Sequence, residues 1–282
     1  MTARADVGGT APGSGELRRA GEAGTEAIAA AFRGDGRRAA FMPYMMGGFP
    51  DMASSRRIAE AYADGGADLV ELGIPFTDPL ADGPVIQAAG TAALRAGATT
   101  HEVLAVGRAL AQRVPVVAMV YANLVMARGL ERFADDLAAH GLSGLIVPDL
   151  PLEESEPVRE ACAGAGLALV PLVAPTTTDE RMARIGERAA GFVYAVSLTG
   201  TTGERSAMAD AFAGLVERAK SATTVPVALG FGISTPEHAR QAADAGADGV
   251  VVGTRLVRAA AEADDPAAAV HELVAQFADA LR

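Results

Sequence analysis

The sequence predicts an α/β fold, a single closed (βα)8 barrel with extra helices. Three observations predict it. Eight short apolar runs recur along the chain, separated by Ala-rich segments of helical pattern. Most are continuously apolar, which suits parallel strands buried on both faces rather than strands with one wet face. Gly141, Gly166 and Gly191 fall 25 residues apart, each just before a strand. A glycine there supplies the left-handed residue that ends a helix. Residues 64–70 (DGGADLV) and 244–250 (DAGADGV) are near-copies of one helix-to-strand junction, as repeated units require. An open doubly wound sheet is the alternative. It is disfavoured because the first strand-to-helix turn lacks G-x-G-x-x-G.

The elements follow in order. Residues 1–24 are rich in Gly, Ala, Thr and charge, without apolar periodicity, and read as a disordered tail. The barrel domain then covers residues 25–282, opening on a short helix over 25–33. Strands are predicted at 41–46, 69–74, 116–121, 144–147, 167–173, 192–196, 227–230 and 249–252. Crossover helices include 54–64, 131–140, 153–163 and 236–245, with charge on one side of each. Further helices at 85–96 and 266–280 decorate the barrel.

Composition removes several function classes. The 282 residues carry a net charge of −11 and no basic cluster, so nucleic acid and anionic membrane are poor partners. Lys220 is the single lysine, which leaves one candidate for Schiff-base or P-loop chemistry. Cys162 is the single cysteine, so no disulfide can form within the chain. The four histidines are scattered without metal-binding spacing, and no metal or other cofactor is expected. No run approaches the ~18 apolar residues of a membrane span, and the N-terminus does not read as a signal peptide. The expectation is a soluble, cytoplasmic protein.

In a barrel the loops after the strand C-termini form the active site. Glu71 interrupts the apolar second strand, where alternation aims one face into the barrel. A carboxylate there is either a structural tie or a general acid/base of raised pKa. Asp78 and Asp82 follow on a proline-stiffened loop, and one of them could instead cap the next helix. Gly230-Phe231-Gly232-Ile233-Ser234 and Gly253-Thr254 follow the seventh and eighth strands, the usual place of a barrel phosphate site; the other reading is tight turns. Residues 197–206 (SLTGTTGERS) read as a mobile lid or an ordinary loop. Tyr121 and Tyr194 lie at or near the ends of the third and sixth strands, where they line the pocket or only pack.

The run 71–84 (ELGIPFTDPLADGP) closely resembles the signature of the tryptophan synthase alpha subunit family. The segments 121–125 (YANLV), 147–151 (VPDLP), 191–203 (GFVYAVSLTGTTG), 230–234 (GFGIS) and 251–254 (VVGT) agree in order, and the resemblance spans about residues 41–260. It implies a TIM barrel that cleaves indole-3-glycerol phosphate to indole and glyceraldehyde 3-phosphate, and a beta-subunit partner in an alpha2-beta2 tetramer. By this resemblance Glu71 is the catalytic acid/base, Asp82 is the second carboxylate, which holds the indole N–H, and Tyr194 stands near Glu71. Thr202 is the lid threonine that contacts Asp82 on closure. Gly203, Gly232, Gly253 and Thr254 match the phosphate contacts. Tyr44 and Tyr121 are expected to line the substrate site, and Asp78 and Pro79 fall in the loop that meets the beta subunit.

The chain departs from the family pattern in the first strand. Met46 stands where Thr is common and Phe49 where Asp is common, which touches the indole end of the site and the coupling to a partner. Thr254 replaces Ser, one hydroxyl for another. Arg255 stands where a small residue is usual. Two further readings compete: a stand-alone lyase that releases free indole, and a barrel that only activates a partner. The presence of both Glu71 and Asp82 speaks against the second.

Overall fold

The structure, a computed structural model, describes residues 14–34, 36–196, 205–230 and 232–282. Among these residues, nine parallel strand segments form one sheet: β1 (Ala40–Met46), β2 (Val70–Gly73), β3 (Val116–Met119), β4 (Gly144–Ile146), β5 (Ala168–Val170), β6 (Leu172–Val173), β7 (Val193–Val196), β8 (Val227–Gly230) and β9 (Gly249–Val252). The spatial order is β5-β4-β3-β2-β1-β9-β8-β7-β6. The fifth predicted run appears as two segments because Pro171 separates β5 from β6 and has no N–H to give to a ladder. β5 pairs with β4 and β6 with β7, so this one broken strand closes the barrel.

Among the described residues, twelve helices surround the strands: α1 (Ser14–Phe32), α2 (Met52–Asp64), α3 (Pro84–Arg95), α4 (Thr100–Leu110), α5 (Ala122–Arg128), α6 (Leu130–Ala139), α7 (Glu156–Gly164), α8 (Asp179–Gly186), α9 (Arg205–Ala222), α10 (Pro236–Asp244), α11 (Thr254–Glu262) and α12 (Pro266–Ala280). A single 3₁₀ turn, Leu152–Glu154, precedes α7.

Residues 14–24, expected within the tail, form the first part of α1. Glu, Leu, Arg and Ala in this stretch are strong helix formers, and they extend a turn anchored further on. The anchor is Ile28, fully buried at the N-terminal end of the barrel beside Met42, Val117 and Ile146. Gly24 makes the approach possible. Its N–H donates to the Gly166 carbonyl at 3.2 Å, and a Cβ there would stand 2.5 Å from that oxygen.

The repeated junction has a physical cause. Asp68 accepts from the Phe41 N–H at 2.8 Å, and Asp248 accepts from the Val227 N–H at 2.9 Å. Each carboxylate thus ties the start of a neighbouring strand. Each also takes a cation, Arg37 at Asp68 and Lys220 at Asp248. The glycines before these aspartates, Gly66 and Gly246, have φ of 97° and 92°. Gly141, Gly166 and Gly191 also lie in the left-handed region. Among the described residues, no helix is long and apolar enough to cross a membrane.

Candidate active site

Alternation along the strands decides which side chains enter the barrel. On β2, Val70 and Leu72 join the outer core under the helices, while Leu69 belongs to the inner cluster. Glu71 shares the inward parity of Leu69 and Gly73. In register it stands between Tyr44 of β1 and Val117 of β3. Among the described residues the buried polar side chains are Ser55, Ser143 and Glu71, and Glu71 is 2 % exposed.

Tyr194, inward on β7, donates its hydroxyl to the Glu71 carboxylate. Burial is the largest influence on Glu71 and the nearby Asp82 charge adds to it. Together they push its pKa up to about 8, against the lowering by Tyr194. A fully buried carboxyl of this kind holds its proton at neutral pH.

Asp82 lies half-buried on the loop between β2 and α3. Burial pushes its pKa up to about 6, and a hydrogen bond from Tyr121 opposes that rise. Of the two carboxyls, Glu71 therefore holds its proton more tightly than Asp82. The helix-capping reading fails for both loop aspartates, because Gly83 is the N-cap of α3 and no side chain caps it. Asp78 is exposed and accepts from Thr77 Oγ1 at 2.5 Å. Pro79 and Asp82 both lend their carbonyls to Gln87 Nε2, at 3.3 and 2.9 Å, which braces the loop against α3.

Tyr121 does more than line the pocket. Its hydroxyl accepts from the Ala81 N–H at 3.0 Å while donating to Asp82. Its ring stacks on Phe76, with centroids 5.3 Å apart. Asp149 of the VPDLP segment fixes the next residue by accepting from the Ala122 N–H at 2.9 Å.

Two inward glycines make room for tyrosines. A Cβ on Gly73 would lie 2.2 Å from the Tyr44 hydroxyl, and one on Gly230 would lie 2.5 Å from the Tyr194 ring. Gly230 thus serves the Tyr194 side of the site. Gly232 has φ of 78°. Gly253 is the N-cap of α11 and supplies no side-chain cap. Thr202, Gly203 and Phe231 lie outside the described residues, as does most of the expected lid.

A narrow cavity of about 10 Å³ opens beside Asp82. Tyr44, Met46, Gly73, Ile86, Met119 and Tyr121 are among its walls. Sequence reasoning marked the two tyrosines but missed Met119 and Ile86. Met119 shares the inward parity of Val117 on β3, and that was the available signal. Phe49 is buried in the outer core, so that departure replaces a polar group with packing. Arg255 lines an outer groove with Glu262 and Glu272. Lys220 binds Asp248 at 2.7 Å outside the barrel, far from any Schiff-base role in the cavity. No cluster of metal-binding side chains occurs among the described residues.

A family model described as tryptophan synthase alpha chain matches residues 32–281. The chain is 50 % identical over 228 residues to a tryptophan synthase alpha chain of Prochlorococcus marinus, covering 80 % of this chain and 83 % of that protein. It is 46 % identical over 226 residues to that of Methanosarcina mazei, with shares of 80 % and 83 %. A Mycobacterium tuberculosis tryptophan synthase structure aligns at a TM-score of 0.82 and 36 % identity, covering 90 % of this chain and 96 % of that one. The alpha subunit from Legionella pneumophila aligns at 0.81 and 33 %, with shares of 92 % and 96 %. With the barrel and its two carboxylates, these matches show that the chain belongs to the tryptophan synthase alpha chain family, lyases of tryptophan biosynthesis.

Proposed function

We propose that Glu71 and Asp82 carry the cleavage of indole-3-glycerol phosphate as an acid and an anion of unequal pKa. The observation that carries this reading is Glu71, buried inside the barrel at a pKa near 8, beside an Asp82 near 6. Two carboxyls pushed apart by their environments are the mark of divided acid and base roles.

The steps follow from these protonation states. Glu71 delivers its proton to C3 of the indole ring, and positive charge develops on the ring nitrogen. Asp82 accepts the N–H hydrogen bond and stabilises that charge. The Glu71 carboxylate then takes the proton of the glycerol hydroxyl next to C3. The C3–C1′ bond breaks, its electron pair restores the aromatic ring, and an aldehyde forms on the leaving fragment. Glu71 ends protonated, and indole and glyceraldehyde 3-phosphate depart. Tyr194 positions Glu71, and Tyr121 holds Asp82. Neither step needs a metal or a lysine.

Gly232, Gly253 and Thr254 bind the phosphate through backbone N–H groups and one hydroxyl. Thr202 and Gly203 of the lid complete that end. A beta subunit docks on the loop of Asp78 and Pro79, giving an alpha2-beta2 assembly. Leu80, 92 % exposed between these residues and Asp82, supports this placement as a large apolar side chain left in water. Docking there speeds cleavage. The cytoplasm is the setting that fits such a pathway enzyme.

The test is indole release from indole-3-glycerol phosphate by the chain alone, then with a beta subunit titrated in. Slow release that rises with the partner and is blunted by Thr202→Val is expected. A fast rate unchanged by the partner would favour the stand-alone lyase, and no indole under either condition would overturn the reading.

A further inference from the structure

We propose that Met46 is a specificity-determining residue, a thioether wall that limits the size of the aryl group the cavity admits. This rests on the indole-3-glycerol phosphate reading above and adds a property of this chain's own residues. The cavity beside Asp82 is walled by apolar and aromatic groups, and the glycines assigned to phosphate are absent from its lining. It is therefore the end that receives the aromatic ring.

Most of the walls cannot yield. Tyr44 lies directly over Gly73, so close that a Cβ there would touch its hydroxyl at 2.2 Å. The Tyr44 carbonyl accepts from Tyr62 at 2.9 Å. Phe76 and Tyr121 are stacked, and the Tyr121 hydroxyl is held by the Ala81 N–H. Met46 differs. It is an unbranched side chain with a polarizable end that adapts to its surroundings. Its sulfur lies 4.0 Å from the Tyr44 hydroxyl. Its end lies over the one glycine in the middle of α3: a Cβ on Gly90 would stand 3.3 Å from Met46 Cε and 3.7 Å from Sδ. Gly90 costs helix stability relative to alanine, yet it gives Met46 room to sit back from the cavity. Met46 and Gly90 thus act as a pair: the glycine sets how far the methionine withdraws, and the methionine sets the cavity's depth.

The test compares kcat/KM for indole-3-glycerol phosphate with that for substrates carrying one methyl group at each benzo-ring position in turn. Met46→Ala should raise the methylated-to-parent ratio about 10-fold or more at one ring position at least, the size of effect one methyl group has in an apolar pocket. Gly90→Ala changes the cavity in the opposite direction and favours the helix, so it keeps the test independent of any folding loss in Met46→Ala. It should raise KM for the parent severalfold, and adding Met46→Ala should remove that defect. Parent turnover with an unchanged ratio at every ring position, and an unchanged KM in Gly90→Ala, would overturn the proposal alone. Failure of the unaltered chain to cleave the parent would overturn the reaction on which it rests.

Discussion

The carboxylate side of the site, on β2 and the loop to α3, is held by side chains, whereas the glycine side, after β8 and β9, is shaped by backbone. Glu71 takes a bond from Tyr194, Asp82 takes one from Tyr121, and Gln87 braces the loop between them and α3. On the other side Thr235 caps α10 by accepting from the His238 N–H, but α11 begins at Gly253 with no side-chain cap. The difference teaches how one barrel separates its tasks. Proton transfer needs groups whose pKa and position are fixed, so it recruits partners for each carboxyl. On the proposed reading the other side binds the phosphate, a task that needs N–H groups and room, which glycine leaves.

Substitutions on the two sides should fail in different ways. Glu71→Gln should have the largest effect, lowering kcat by about 10²–10⁴-fold while leaving KM nearly unchanged. The amide keeps the shape and accepts from Tyr194 but cannot deliver a proton. Single-turnover indole formation measures it, and a rate within a few-fold of the unaltered chain would remove Glu71 from the role. Asp82→Asn should be similar or smaller, since the amide still accepts an N–H but carries no charge. An unchanged kcat would leave Asp82 a loop residue only.

Gly253→Val probes the other side. A Cβ at this position meets Tyr44 at an ordinary 3.5 Å, so the fold should survive. The branched side chain should crowd the N-terminus of α11 and raise KM for the phosphorylated substrate about 10-fold, a loss of about 1.4 kcal/mol. Calorimetric titration with indole should show much less change. An equal loss for both ligands would point to a general defect and break the comparison.

Tyr121→Phe should have the smallest effect on rate at neutral pH, a severalfold loss. It removes the hydrogen bond that lowers the Asp82 pKa, so that pKa should rise above about 6. The acid side of the pH–rate profile should move upward with it. A profile left in place would mean that Tyr121 only packs against Phe76.

Much of this was legible in the chain because burial and alternation leave marks. A glutamate inside an apolar run, with Leu69 and Gly73 at the same parity, announces a side chain the barrel would not otherwise accept. The aspartates of the two near-copied junctions reflect a repeated tie to a neighbouring strand. Other features left no local trace. Pro171 sits in a run that looks continuous, and the break it makes shows only in the pairing of β5 and β6 with different neighbours. Residues 14–24 look like a tail by composition, while their helix continues outward from Ile28, which is locked in the barrel floor. The link from Tyr121 to Asp82 joins residues 39 positions apart through a hydroxyl that no spacing rule marks. The recess of Met46 over Gly90 likewise exists only once β1 and α3 are brought together.

The central claim is that Glu71 works protonated and Asp82 works ionised, and the pH dependence of kcat/KM tests it most directly. Activity should fall as pH drops through about 6, where Asp82 gains a proton, and fall again as pH rises through about 8, where Glu71 loses its own. Asp82→Asn should abolish the acid limb and move the basic limb to lower pH, because the Asp82 charge no longer helps hold the proton on Glu71. A profile flat from pH 5 to 9, or an acid limb that persists in Asp82→Asn, would contradict the account.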